Sequence, residues 1–517
     1  MSRTTFTIWF IAVYLTLTVF LLILSMQAAG GQLIYTLDDP YIHLAVAENI
    51  LLGGYGVNFP ETSSPSSSIL YPFLLSATLL AGFGEWGPLA ISVAANVLSL
   101  LYAGPLLFHC CIGTGPAARF LFLVLPPLFL LATNTIALPM TGMEHPLHVL
   151  AVILVVSGLV RLGKTGDAPV RLGVGALLAP LVRFEGFALS LAVIAALFFI
   201  RKGRIALVLA ALLCAAVAAY VMLMQSMGLP LIPSSVLVKS SVTANAYDSS
   251  FSSTLIETVR NTLSSMNSRW GVVFALGCAL LIPICFAGVQ TSLAAACTVV
   301  MLAAHISFGR YGWFGRYEVY AHVGLLLAIA SCYAPAFLAG PKSRRVLLIP
   351  LLLLVMATPY LQTTMRTPAA SRNVYQQQYQ MHRFATEFFP EVVAVNDLGW
   401  VSYRNDLFVL DLWGLGSEEA RQAASQDGRT AEFMRDMTAK NGVKYAMIYD
   451  KWFAGQVPRE WCRIAELRTS RVTAAFGEVA FYLIDRDLET NMGAALTAFG
   501  GSLPEGAHLS IQGCDDA

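Results

Sequence analysis

The sequence predicts a mainly α fold, a bundle of membrane-spanning helices followed by a small soluble α/β domain. Two observations carry that fold class. Of 517 residues, 56% are hydrophobic and 12% charged, with a mean hydropathy of +0.66, which is more apolar surface than one soluble core can hide. Charge is also unevenly placed: residues 1–360 hold 17 Lys/Arg and 11 Asp/Glu, whereas the last 157 hold 15 and 20. A polytopic membrane domain, 1–360, therefore precedes a soluble domain, 361–517. A net charge of +1, with no basic stripe interleaved with aromatics, argues against a nucleic-acid partner.

The first element is "FTIWFIAVYLTLTVFLLILSMQAAG", long enough to cross about 30 Å of hydrocarbon and longer than a signal-peptide core, so it is expected to be a retained span. Further apolar stretches follow at roughly 67–82, 87–109, 117–138, 145–160, 171–183, 185–200, 204–224, 270–288, 291–308, 316–335 and 346–360. The basic clusters 161–171, 201–204 and "PKSRR" (341–345) are expected on the cytoplasmic side. One more span then puts 361–517 outside. Counting forward from a cytoplasmic N-terminus gives the opposite answer, so one early stretch is expected not to cross, and 67–82 is the shortest early one. The expectation is 11 or 13 spans, with a first extracytoplasmic loop over 30–66.

Nine cysteines form no zinc pattern. Cys110, Cys111, Cys214, Cys278, Cys285, Cys297 and Cys332 read as small buried hydrophobes. Cys462 and Cys514 fall in the soluble tail, on a side expected to be oxidising, and are expected to pair. In that tail "VVAVNDLGWVSY", "LFVLDLWGL", "KYAMIYD" and "VAFYLID" read as strands, and "SEEARQAASQ" and "TAEFMRDMTAKNG" as helices. The segment "YQQQYQ" (375–380) reads as a tail helix. No Walker loop or GxGxxG is present, so no nucleotide is expected.

Eleven acidic residues interrupt the membrane domain, and charge at membrane depth is usually functional. In "TLDDPYIHLAVAENILLGGYGVNFPE" (36–61), Asp38 and Asp39 precede Pro40 and a run whose spacing predicts a helix lying on the membrane surface. Two readings stay open: the pair caps that helix, or it supplies a reactive carboxylate. His43, His145, His148, His305 and His322 show no metal-ligand spacing beyond the 145/148 pair, which reads as structural. No metal or other cofactor is expected, and a divalent cation is left unassigned.

The loop "LDDPYIHLAVAENILLGGYGVNFPETSSPSSSILYPFLL" resembles the first loop of GT-C glycosyltransferases, above all the mycobacterial terminal arabinofuranosyltransferases. "TGMEHPLHVL" (141–150), "LVRFEGFAL" (181–189), "GLPLIPSSVLVKS" (228–240), "GRYEVY" (315–320) and the tail run from "VYQQQYQMHRF" to "VNDLGWVSYRNDLFVLDLWGLGSEEA" extend the likeness along nearly the whole chain. The chain departs from that pattern in "PLIPSS", where the family usually has Pro-Asn, and at Pro40. The resemblance implies an inverting transferase of the bacterial inner (plasma) membrane. Its donor would be a polyprenyl-phosphate sugar, such as a pentofuranose, and its acceptor an envelope glycan, a lipopolysaccharide hydroxyl or a pilin-like glycoprotein. Asp39 would be the base, with Asp38 orienting the acceptor or holding Asp39 ionised. Lys239, Arg316 and Arg183 would meet the phosphate, Glu144, Glu185 and Tyr41 would complete the donor site, and Asn396, Asp397 and Trp413 would hold the acceptor. Against these stand plainer readings: Arg183 and Glu185 as an ion pair fixing a bend, Lys239 and Arg316 as headgroup anchors, and "RYGWFGRYEVY" (310–320) as an interfacial belt. A transporter should show internal repeats with broken helices in matching halves, and none is found.

Overall fold

The computed structural model describes residues 2–111, 116–239, 241–248, 251–338, 348–425 and 428–514; the basic cluster 341–345 and the Cys111 side chain lie outside the described parts. From the N-terminus come α1 (Arg3–Ala28), α2 (Asp39–Leu51), α3 (Tyr71–Leu80), α4 (Trp86–Phe108), α5 (Pro116–Ala132), α6 (His145–Thr165), α7 (Val170–Val182), α8 (Gly186–Phe199) and α9 (Gly203–Ser226). Short α10 (Ser234–Lys239) and α11 (Ser241–Asp248) lead through α12 (Phe251–Met266) and α13 (Arg269–Cys285) to α14 (Val289–Phe308), α15 (Val319–Leu338) and α16 (Leu348–Gln376).

Among the described residues five helices are long and apolar enough to cross a membrane: α1, α4, α6, α9 and the stretch that begins with α16; α12 and α13, meeting at 93°, add a sixth if taken as one broken span. Six further apolar helices are shorter, at 10–17 residues, and the shortest is α3, inside the stretch expected not to cross. Its ten residues rise only ~15 Å. Helix α6 is apolar on every side because α4, α7, α14 and α15 surround it, which makes it the central post of the bundle. Cys214 faces outward on α9 rather than into the core.

Helix α2 corrects the expectation of a membrane-surface helix. Pro40 to Ala47 are all buried, because α2 is sandwiched between the bundle and the C-terminal domain. Helix α16 likewise runs well past the expected boundary near residue 360, carrying the chain into the tail without a break.

After α17 (Gln378–Arg383) the tail builds one sheet from β1 (Val393–Val395), β2 (Val409–Asp411), β3 (Tyr445–Ile448), β4 (Cys462–Arg468), β5 (Glu478–Leu483) and β6 (His508–Ile511), in the order β2-β1-β3-β5-β4-β6. The β2, β1 and β3 strands are parallel and the remaining neighbours antiparallel. Four strands match the expected segments; β4 and β6 were not foreseen. Helices α18 (Gly399–Ser402), α19 (Glu418–Ser425), α20 (Ala431–Lys440) and α21 (Glu489–Gly500) complete the domain. The glutamine run is buried at the joint between the domains, where Gln376 donates to the Glu505 carbonyl at 2.6 Å and Gln377 to the Phe476 carbonyl at 3.0 Å. Cys462 and Cys514 are disulfide-bonded, as expected, and tie the C-terminus to β4 across a separation of 52 residues. Replacing both by Ser should destabilise the tail by about 2–4 kcal/mol, because a loop of that length is no longer closed in the unfolded chain. Thermal melts and non-reducing peptide maps check the cost and the pairing.

Candidate active site

Three segments far apart in sequence converge on one carboxylate. Asp39, the first residue of α2, receives Lys239 Nζ on Oδ1 at 2.9 Å and Arg316 Nη2 on Oδ2 at 2.8 Å. Lys239 ends α10, and Arg316 sits on the turn before α15. Burial alone would raise the Asp39 carboxyl, but the Arg316 guanidinium and the Lys239 ammonium outweigh it and hold it far below the usual carboxylate range. The Arg316 side chain is 1% exposed. Its Nη2 also donates to the Tyr317 hydroxyl at 3.1 Å, while Nε and Nη1 are buried with no partner among the described residues. The Tyr317 ring lies between two guanidiniums, 5.0 Å from Arg316 and 5.6 Å from Arg183.

Lys239, Arg316 and Tyr317 wall two cavities. The inner one, about 310 Å³, reaches into the bundle past Arg183, Glu185 and Phe187. The outer one, about 620 Å³, opens between the bundle and the tail and holds Asp38, Asp39, Asn396, Asp397 and Trp413. The expected acceptor residues are therefore in one cavity with the acidic pair.

The reading of the acidic pair as a cap for α2 is corrected. Neither carboxylate caps α2. Asp38 reaches into the tail instead, accepting the N–H of Gly399 at 2.7 Å and of Trp400 at 2.9 Å, and so caps α18. Burial, with Asp397 nearby, pushes its carboxyl up. Gly399 is required there, since a Cβ would come within 2.1 Å of the Asp38 carbonyl. Tyr41 is also corrected: it is fully buried, stacks on Trp400 at 3.9 Å and accepts the Tyr35 N–H at 3.0 Å, so it fastens the first loop to the tail rather than touching a donor.

Arg183 is consumed by carboxylates, as the plainer reading had it. Nη1 donates to Glu144 at 2.7 Å, and Nη2 and Nε donate to Glu185 at 2.7 and 3.2 Å. Glu144 also accepts from Ser67 at 3.3 Å. These three stiffen the junction of α7 and α8 beside the inner cavity; the structure does not bring them to Asp39. His148 stacks on Tyr320 at 4.1 Å, and among the described residues no three His, Cys, Asp or Glu side chains converge as a metal site would need.

In the tail, Asn396 accepts the Tyr449 N–H at 2.7 Å, and Asp397 Oδ2 accepts from Gln378 at 2.8 Å and the Tyr449 hydroxyl at 2.5 Å. Trp413 stacks on Trp452 at 4.2 Å, on a loop shaped by Asp411, which accepts three backbone N–H groups at 2.6–3.1 Å. Sequence reasoning missed the turn Gly312-Trp313-Phe314-Gly315, where all four residues have positive φ. The two flanking glycines inside an aromatic run were the available signal. Glu318 holds this turn by accepting the Gly312 N–H at 2.8 Å and the Tyr360 hydroxyl at 3.3 Å.

A solved structure shares this architecture. The oligosaccharyltransferase of Archaeoglobus fulgidus, crystallised with Zn and sulfate, superimposes with a TM-score of 0.50 at 12% identity, over 96% of this chain and 74% of that one. The chain has its fold. At this identity the likeness is one of fold, and it agrees with the GT-C architecture expected above. ArnT from Cupriavidus metallidurans bound to undecaprenyl phosphate gives 0.48 at 11% identity, over 93% of this chain and 98% of that one. A domain family of unknown function, DUF8728, matches residues 371–482. No curated protein matches.

Two outcomes follow from these contacts. Asp38→Asn turns an amide N–H₂ toward one of the two backbone donors and should cost about 1–3 kcal/mol, seen as a lower melting temperature and faster proteolysis at the joint around 384–400. Glu318→Gln replaces one of the two oxygens that accept the Gly312 N–H and the Tyr360 hydroxyl, and should likewise cost about 1–3 kcal/mol, seen as a lower melting temperature.

Proposed function

We propose that the chain is an inverting glycosyltransferase of a bacterial inner membrane, working on the extracytoplasmic face, that moves a sugar from a polyprenyl-phosphate carrier to an acceptor hydroxyl. The observation that carries this reading is the single carboxylate shared by two cations at the wall between a bundle-side and a tail-side cavity. The fold shared with an oligosaccharyltransferase and the disulfide in the tail support it.

The donor phosphate lies at Lys239 and Arg316, reached from the inner cavity, with the unpartnered Nε and Nη1 of Arg316 as ready donors. As the cations turn toward the phosphate they release Asp39, whose proton affinity rises toward that of an ordinary carboxylate. Asp39 takes the proton of the acceptor hydroxyl while that oxygen attacks the anomeric carbon. The bond from that carbon to the phosphate oxygen breaks, and the polyprenyl phosphate leaves with the electron pair, its charge met by the same two cations. The transferred sugar is proposed as a pentofuranose, arabinofuranose among them, and the acceptor as an envelope glycan. The outer cavity, with Trp413 and Asp397, receives it.

Asp39→Asn should abolish transfer in proteoliposomes at temperatures where the variant stays folded, and should lower the melting temperature as well, because the buried Arg316 guanidinium loses its carboxylate. Lys239→Ala and Arg316→Ala should each lower turnover by about 10² to 10³, the loss of one well-placed cation, on the order of 2–4 kcal/mol. Near-normal activity in Asp39→Asn, or in both cation variants, would move the site elsewhere. Mass spectrometry of envelope glycans from cells with and without the gene would name the sugar.

A further inference from the structure

A second chamber adjoins the outer cavity. It measures about 410 Å³, and the two share Leu37, Trp313, Thr473, Ala474 and Ala475 as a common wall. Both volumes fall in the range of about 300–1,000 Å³ typical of ligand sites. The divider is held from both sides. The turn carrying Trp313 has φ values of 79, 47, 67 and 67° over Gly312 to Gly315, a conformation that bulky residues adopt only when neighbours enforce it. Glu318 holds its start, and Asn134 Nδ2 holds its end by donating to the Phe314 and Gly315 carbonyls at 3.2 and 3.1 Å. A Cβ at Gly315 would meet the Tyr360 ring at 2.8 Å. Across the opening, buried Asn373 accepts the N–H groups of Val472, Thr473 and Ala474 at 2.9–3.0 Å, pinning the tail loop. The constraint presents Trp313, 53% exposed, at the passage between the chambers.

The second chamber combines the exposed ring of Trp313, beside the buried stacked pair Trp270 and Tyr360, with polar side chains, Gln362, Arg366 and Arg471. That mixture suits a ring with apolar C–H faces and a rim of hydroxyls. A polyprenyl chain would strip water from the polar groups with nothing in return. No residue lining either chamber belongs to a β-strand, so no sheet edge is offered to an extended peptide.

We propose that the second chamber is a subsite for the next sugar of a glycan acceptor, with Trp313 as its stacking platform, so that the enzyme reads at least two acceptor residues. This rests on the glycosyltransferase reading above. The outer cavity then holds the residue whose hydroxyl reacts, and the chain of the acceptor passes Trp313 away from Asp39.

The test uses the full-length protein in proteoliposomes, the cells' own polyprenyl-phosphosugar extract as donor, and glycan from the envelope of cells lacking the gene, fractionated by chain length. Wild-type kcat/KM should rise at least about tenfold from one-residue to longer acceptors. In Trp313→Ala that ratio should collapse toward one, chiefly through KM for the longer fractions. Trp313→Phe should restore most of it, and Gln362→Ala, which touches only the second chamber, should lower it in part. Binding of the same fractions without donor, followed by tryptophan fluorescence, reads the subsite independently of chemistry. Tighter binding of longer fractions to wild type than to Trp313→Ala supports the subsite even if no transfer occurs, an outcome that would sink the enzyme reading alone. An undiminished length preference in Trp313→Ala, or binding of acceptor peptides in preference to every glycan fraction, overturns it.

Discussion

The structure depends on keeping one half-buried carboxylate paired with a fully buried guanidinium. Desolvating a lone charge costs several kcal/mol, and breaking a buried pair by removing one partner is strongly destabilising. Asp39 therefore obliges α10 and the turn before α15 to meet α2, although Lys239 and Arg316 are 200 and 277 residues away along the chain. Asp38, one residue earlier, imposes the matching condition on the other side, because its two oxygens hold α18 of the tail. The acidic pair is thus a joint: one carboxylate faces the bundle, the other the soluble domain, and the outer cavity lies between them.

That joint explains why α2 departs from its sequence pattern. A run with polar His43, Glu48 and Asn49 among aliphatics reads as a surface helix, yet the tail covers its outer face. Asn49 donates to the Gly56 carbonyl, His43 pairs with Ser66, and Glu48 accepts the Arg404 N–H. The polar residues face protein partners rather than lipid headgroups. Tyr41 followed the same course, its ring taken up by Trp400.

What the sequence made legible was chemistry stated by rare residues. Asp39, Lys239 and Arg316 stood out because ionisable groups are costly near lipid, and they meet at hydrogen-bond distance. The tail strands with plain apolar runs were visible, and so was the cysteine pair. Hidden were features whose partners are remote. Strand β4, "CRIAELR", carries Arg463, Glu466 and Arg468, which pair among themselves and disguise the strand. The Asp38–Gly399 contact spans 361 residues and has no local signal. Arg183 reads as a phosphate ligand in sequence because the two carboxylates that engage three of its five N–H groups, Glu144 and Glu185, are set around it only by the fold. The Trp313 turn was readable only as an aromatic belt, because its left-handed backbone depends on Glu318 and Asn134 holding it from outside.

The central claim is that Asp39 and the donor phosphate compete for the same two cations. Affinity for undecaprenyl phosphate, measured on wild type and Asp39→Asn in detergent without any sugar, tests this most directly. Competition predicts that the Asn variant binds the lipid phosphate severalfold more tightly than wild type, since Lys239 and Arg316 no longer have to leave a carboxylate. Equal or weaker binding by Asp39→Asn would contradict it, and would make Asp39 a scaffold for the cations rather than the group that the phosphate sets free.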